Sequence, residues 1–204
     1  QNAPSPPPGS CTMTLLLAGL ILFLGAHSVR IVADDWRSAR IAAMGPAAWK
    51  GVYSAVSIIG FVLIVYGYGL ARQSPVVLWA PPVWTKHLAA LLTLPVFVLL
   101  AAAKIPGTRI KQAVKHPMVM AVKIWAVSHI IANGTLADAL LFNAFLLWAV
   151  LDYIAARTRD RKQGLAYPAQ GIGRDVIAVV IGLAAWFVFA KYLHAPLIGV
   201  APFG

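Results

Sequence analysis

The chain contains no glutamate at all. Its acidic residues are six aspartates, Asp34, Asp35, Asp138, Asp152, Asp160 and Asp175, set against seventeen Lys and Arg in 204 residues, for a formal charge of +11. Cysteine is nearly absent: Cys11 stands alone, so no intramolecular disulfide can form and the redox compartment stays open. There is no Walker-type phosphate loop, no GxSxG elbow, no CxxC pair and no HExxH helix, which removes most classes of water-soluble enzyme. Neither internal repeats nor the inverted halves of a transporter are visible. No two carboxylates fall within the apolar segments as an acid/base pair, so hydrolytic chemistry has little support.

What the chain has in abundance is apolar sequence. It is 60% hydrophobic and 11% charged, with a mean hydropathy of +0.78, a composition that points to a membrane protein. A pI near 10.2 on a soluble domain would suggest nucleic acid. Here the basic residues sit between apolar runs, where the positive-inside bias puts them, and the expected partner is the lipid bilayer, with no nucleic acid.

Apolar runs of about 20 residues predict an all-α polytopic bundle of about six transmembrane helices: Met13 to Val32, Gly51 to Ala71, His87 to Ala103, Pro117 to Ala132, Leu136 to Ala156 and Val176 to Leu193. Residues 1–12, Pro/Ser/Gly-rich, are expected to be a disordered leader or appended tail, and 13–204 a single domain. The first loop carries Arg30, Arg37, Arg40 and Lys50, the third Lys104, Arg109, Lys111 and Lys115, and the fifth Arg157, Arg159, Arg161, Lys162 and Arg174. The second has Arg72 and Lys86, and the fourth has no Lys or Arg. That alternation places loops one, three and five in the cytoplasm of a bacterial inner-membrane protein and both termini in the periplasm. Trp79, Trp84 and Pro81-Pro82 in the second loop suit the outer interface. In the turn NGTLAD, Thr135 is an expected N-cap with Asp138 in a variant capping box, so the flanking helices form an antiparallel hairpin.

Four of the aspartates, Asp34, Asp35, Asp160 and Asp175, lie beside arginines in basic loops and read as surface ion pairs of small energetic value. The histidines are more informative. His27 and His129 fall inside predicted spans, where an unpaired ring would cost several kcal/mol. Each could hydrogen-bond a backbone carbonyl or a neighbouring hydroxyl, such as Ser28 or Ser128, and join helices. Alternatively the two could share a ligand. Zinc would want further ligands that the spans do not offer, whereas haem needs only axial ligands, of which imidazole is among the commonest. At 1.5 Å per residue His27 lies roughly 21 Å from the outer end of its span and His129 roughly 18 Å from the inner end of its own, so their depths differ by several Å in a core of about 30 Å. Tilt can close that gap. His116, just before Pro117, belongs at the inner interface, near enough in sequence to Arg109 and Lys115 to meet a haem propionate or substrate. Arg30, Arg109 and Lys115 are expected at the same face, against propionates or lipid phosphates.

The stretches HSVR, WKGVYSAVSIIGFVLIVYGYGLAR and KHPMVMAVKIWAVSHIIANGTLADALLF closely resemble the NnrU family of bacterial inner-membrane proteins, from Met13 to about Arg161. That resemblance implies a link to denitrification, through production of nitrite and nitric oxide reductases, and a respiratory or other membrane complex as partner. The family is related to the zeta-carotene isomerase of plants and cyanobacteria, which uses b-type haem with histidine ligands. By resemblance, His27-Ser28 matches the isomerase's early His-Ser pair, and His116-Pro117, Ile124-Trp125 and His129 match its HP…IW…AH segment. The resemblance therefore implies haem b held by His27 and His129. Where the isomerase has a cysteine that takes part in redox-dependent ligand exchange, this chain has Ala126. Two functions follow: a haem-binding membrane protein serving assembly, electron transfer or maturation of respiratory enzymes, or a haem-dependent cis–trans isomerase of a membrane-dissolved polyene.

Overall fold

A computed structural model of the protein describes residues 10–203. Residues 1–9 of the expected leader lie outside the described residues, and the first helix begins at Ser10. In chain order the helices are α1 (Ser10–Val32), α2 (Asp34–Met44), α3 (Pro46–Ala71), α4 (Val83–Lys104), α5 (Arg109–Val114), α6 (Pro117–Ala132), α7 (Leu136–Gln163) and α8 (Ile172–Val188). A π-helical turn, Phe189–Leu193, and α9 (His194–Ile198) extend α8. Among the described residues there is no strand, only an isolated bridge between Val77 and Thr135.

Five helices are long and apolar enough to cross a membrane: Met13–Val32, Pro46–Ala71, Val83–Lys104, Leu136–Gln163 and Ile172–Ile198. The sixth expected span, α6, has the predicted limits and an apolar composition but only 16 residues, about 24 Å against a core of about 30 Å. The protein is thus an all-α polytopic bundle. Its helices overrun the expected limits: α3 starts at Pro46, with proline in its first turn, and α7 reaches Gln163 through polar residues that continue the turns. The apolar part of α7 ends near Ala156, and Arg157–Gln163 is charged.

The described residues form two compact units. One comprises α1 to α3, the chain up to Leu78, and Thr135–Ala144. Within it α1 and α3 lie antiparallel and very close, because glycine faces backbone at three levels. A Cβ on Gly19 would come within 2.6 Å of Ile64 N, one on Gly60 within 2.7 Å of Phe23 N, and one on Gly67 within 2.5 Å of Leu16 N. Without a hydrophobic force between helices in lipid, such close approach supplies the contact. The first basic loop is largely helix α2, with Asp34 and Asp35 in its first turn, where the helix dipole favours acids. Its exposed Trp36 meets Trp49 edge-on at 6.0 Å. Asp138 and Thr135 form the expected reciprocal cap: Asp138 N donates to Thr135 Oγ1 at 3.2 Å and Thr135 N to Asp138 Oδ2 at 3.0 Å. Tyr68 of α3 also donates to Asp138, at 2.5 Å.

The other unit comprises residues 79–134 and 145–204. Here α4 packs on α6 through Val96, Leu99 and Ala121, with Met120, Ile124 and Trp125 against them. On its other side Gly182 of α8 abuts Val98, and Trp186 Nε1 donates to Thr93 Oγ1 at 3.1 Å. At the Trp-rich loop, Trp79 Nε1 donates to Asn133 O at 3.1 Å.

Candidate functional site

His27 and His129, the two span histidines, belong to different units, yet their local geometry is the same. His27 Nδ1 lies 2.7 Å from the carbonyl of Phe23, four residues back on α1. His129 Nδ1 lies 2.8 Å from the carbonyl of Trp125, four residues back on α6. A carbonyl only accepts, so Nδ1 carries the proton in both rings and, in the neutral imidazole, the lone pair is on Nε2. Both bonds stay inside the ring's own helix and so do not join two helices. Ser128 Oγ, expected as a partner, lies 3.2 Å from His129 Nδ1 and donates to Trp125 O at 2.7 Å.

Aromatic groups hold both rings. His27 stacks on Phe23, with centroids 4.2 Å apart, and meets Tyr53 of α3 at 5.2 Å. One turn along α3 from Tyr53, on the same inward stripe, the buried Ser57 hydroxyl makes no hydrogen bond. His129 lies 5.2 Å from the Trp125 ring, which meets Phe145 edge-on at 5.6 Å. Ala126 is fully buried. No group of three or more metal-ligating side chains occurs among the described residues.

His116 is at the start of α6, as expected, but Asp160 is not a surface residue. It is 4% exposed, on the charged end of α7, and collects His116 Nε2 at 2.9 Å, Tyr167 Oη at 3.0 Å and an Arg157 nitrogen at 3.2 Å. Because a carboxylate accepts, Nε2 of His116 carries the proton. Burial opposes ionisation of Asp160, but the bonds from His116, Tyr167 and Arg157 outweigh it and hold its carboxyl below the usual carboxylate range. Tyr167 is pushed up, first by burial and then by donating to Asp160. The expectation of a weak surface pair fails because sequence does not show that α6 starts beside the end of α7. Asp175 likewise accepts from Ile110 N, at 3.1 Å, whereas Asp34–Arg37, 3.4 Å apart, is an exposed pair of the expected kind.

Arg30 and Arg109 are exposed at the ends of α1 and α5. Lys115, between α5 and α6, is the one non-glycine residue with positive φ among the described residues, at φ 63° and ψ −54°. His116 N donates to Val114 O at 2.7 Å, making a γ-turn about Lys115, a strained form worth about 1–3 kcal/mol. Lys123, not singled out from sequence as a site residue, lies within α6 with its ammonium 3.9 Å from the Tyr153 ring centroid. The apolar run around it was the only signal available.

No curated protein and no solved structure matches the chain. Residues 15–202 match the family described as NnrU protein, so a polytopic helical membrane protein with two tautomerically matched histidines belongs to the NnrU family.

Proposed function

We propose that the protein binds b-type haem, which His27 and His129 would hold, in a bacterial inner membrane with both termini periplasmic. The observation that carries this reading is the shared tautomer. Each ring commits Nδ1–H to the carbonyl four residues back, so the ligating lone pair is on Nε2, the arrangement that fixes ring orientation in metal-bound histidines. The residues fit the group in two further respects: the ring neighbours are aromatic and apolar, and Ser57 keeps a buried hydroxyl on the α3 face that packs on α1. Arg30 and Arg109 supply guanidinium groups suited to propionates or lipid phosphates. His116 donates its Nε2–H to Asp160, so a propionate contact would fall to Nδ1, which donates only in the imidazolium form. Bound haem would supply a one-electron centre, and the protein's own part is to hold two imidazoles in one tautomer inside an apolar shell. Denitrification, through maturation of or electron transfer to respiratory enzymes, is the process that the resemblance implies and that we propose. Polyene isomerisation is the weaker reading, since Ala126 removes the cysteine route to ligand exchange. Absorption spectra of the purified protein, oxidised and reduced, test the proposal; a bis-histidine b-type spectrum is expected, and protein that takes up no haem contradicts it. Lipid extracts of cells with and without the protein test the isomerase reading, which alone expects cis-polyene to accumulate in its absence.

A further inference from the structure

The basic end of the second unit holds a pocket of about 250 Å³ lined in part by Ala103, Lys111, Lys115, His116, Met118 and Tyr167. Its lining divides by chemistry. Ala103 and Met118 come from the ends of apolar helices, while Lys111 and Lys115 bring two ammonium groups. No carboxylate lines the pocket. Asp160, bonded to two of the lining residues, is already matched by His116, Tyr167 and Arg157, so its charge is spent on partners other than the lysines. Lys115 Nζ is 5.8 Å from the Tyr167 ring centroid, which brings its charge to another lining residue.

The backbone supplies an independent reason to assign a ligand here. The left-handed φ at Lys115 is imposed by Lys115 N donating to Lys111 O at 2.8 Å, by His116 N donating to Val114 O at 2.7 Å, and by Tyr153 Oη donating to the same carbonyl at 3.1 Å. Glycine would adopt that turn without a steric penalty. A lysine kept at a strained position on a pocket wall points to work for its side chain.

We propose that this pocket binds a phosphate-bearing anion, with Lys111 and Lys115 on the phosphate and the Ala103 and Met118 wall against the apolar part of an anionic phospholipid. The proposal does not depend on haem. It is tested by native mass spectrometry of the delipidated protein in detergent, with dioleoyl phosphatidylglycerol or dioleoyl phosphatidylcholine added. The parent should take one phosphatidylglycerol per chain in preference to phosphatidylcholine. Lys111→Gln and Lys115→Gly should each weaken that binding about tenfold, the loss of one charge-assisted contact. Lys162→Gln, at an exposed position outside the pocket, should leave it unchanged. Lys115→Gly should melt no lower than the parent, because glycine relieves the turn, so lost binding is not lost fold. Excess glycerol phosphate distinguishes the sources: displacement of the lipid assigns the site to soluble phosphates, and resistance assigns it to a lipid. Absence of a phosphatidylglycerol adduct in the parent, binding as tight as the parent's in both pocket variants, or an equal loss in Lys162→Gln overturns the proposal.

Discussion

His116 and Asp160, 44 positions apart, meet at 2.9 Å and tie the first residue before α6 to the charged end of α7. Around that contact Tyr167 and Arg157 complete a buried carboxylate with matched partners. Replacing Asp160 by Asn strips the charge that organises all three. The expected loss is about 1–3 kcal/mol, read as a lower melting temperature by circular dichroism in detergent. An unchanged melt would show that the contact is incidental.

The same carboxylate sets an acid limit. Its folded pKa is below its ordinary value of 3.8, so its contribution is present above that value and lost as pH falls through the folded one. Stability of the parent should decline below about pH 4 by more than that of Asp160→Asn, checked by melts across the acid range. Parallel acid limbs in the two proteins would contradict it.

Tyr167 titrates with the opposite sign. Its folded pKa is above its ordinary value of 10.0, so its contribution is complete below pH 10 and disappears as pH rises through the folded value. Tyr167→Phe should flatten the alkaline limb of the stability profile while leaving the ring in place. An alkaline limb as steep as the parent's would assign that limb to another group.

The α1–α3 pair should tolerate no side chain at its closest approach. Gly67→Val drives a Cβ into the Leu16 backbone and should destabilise by about 1–3 kcal/mol or more, whereas Gly25→Ala, with open space around it, should be neutral. Unfolding in mixed detergent would measure both. Equal stability of the two variants is the outcome that fails.

Helix positions were legible because apolar length is a one-dimensional signal, and the basic loops punctuate it. Thr135 and Asp138 were legible as a cap because their spacing is local. What was not legible was non-local or amphipathic. Helix α2 hid in a loop rich in arginine, α5 has only six residues, and Asp160 looked like one acid among basic neighbours because residues 116 and 160 are brought together only by the fold. A lone acid inside the basic run ARTRDRK was, in hindsight, the available clue. For the histidines, sequence located the rings, while the choice of nitrogen needed the carbonyls of Phe23 and Trp125.

Orientation in the membrane rests on loop charge, and reporter fusions check it. Fusions at Gly107 and Gly164 should read cytoplasmic and one at Pro75 periplasmic. A cytoplasmic signal at Pro75 would reverse the topology.

The central proposal is ligation of haem iron by His27 and His129, and the absorption spectrum of single-histidine variants tests it most directly. His129→Ala and His27→Ala, each inserted and folded, should each lose the bis-histidine spectrum or convert it to a five-coordinate form, while His87→Ala and His194→Ala keep it. A bis-histidine spectrum that survives in His129→Ala would contradict the assignment and return that ring to helix packing.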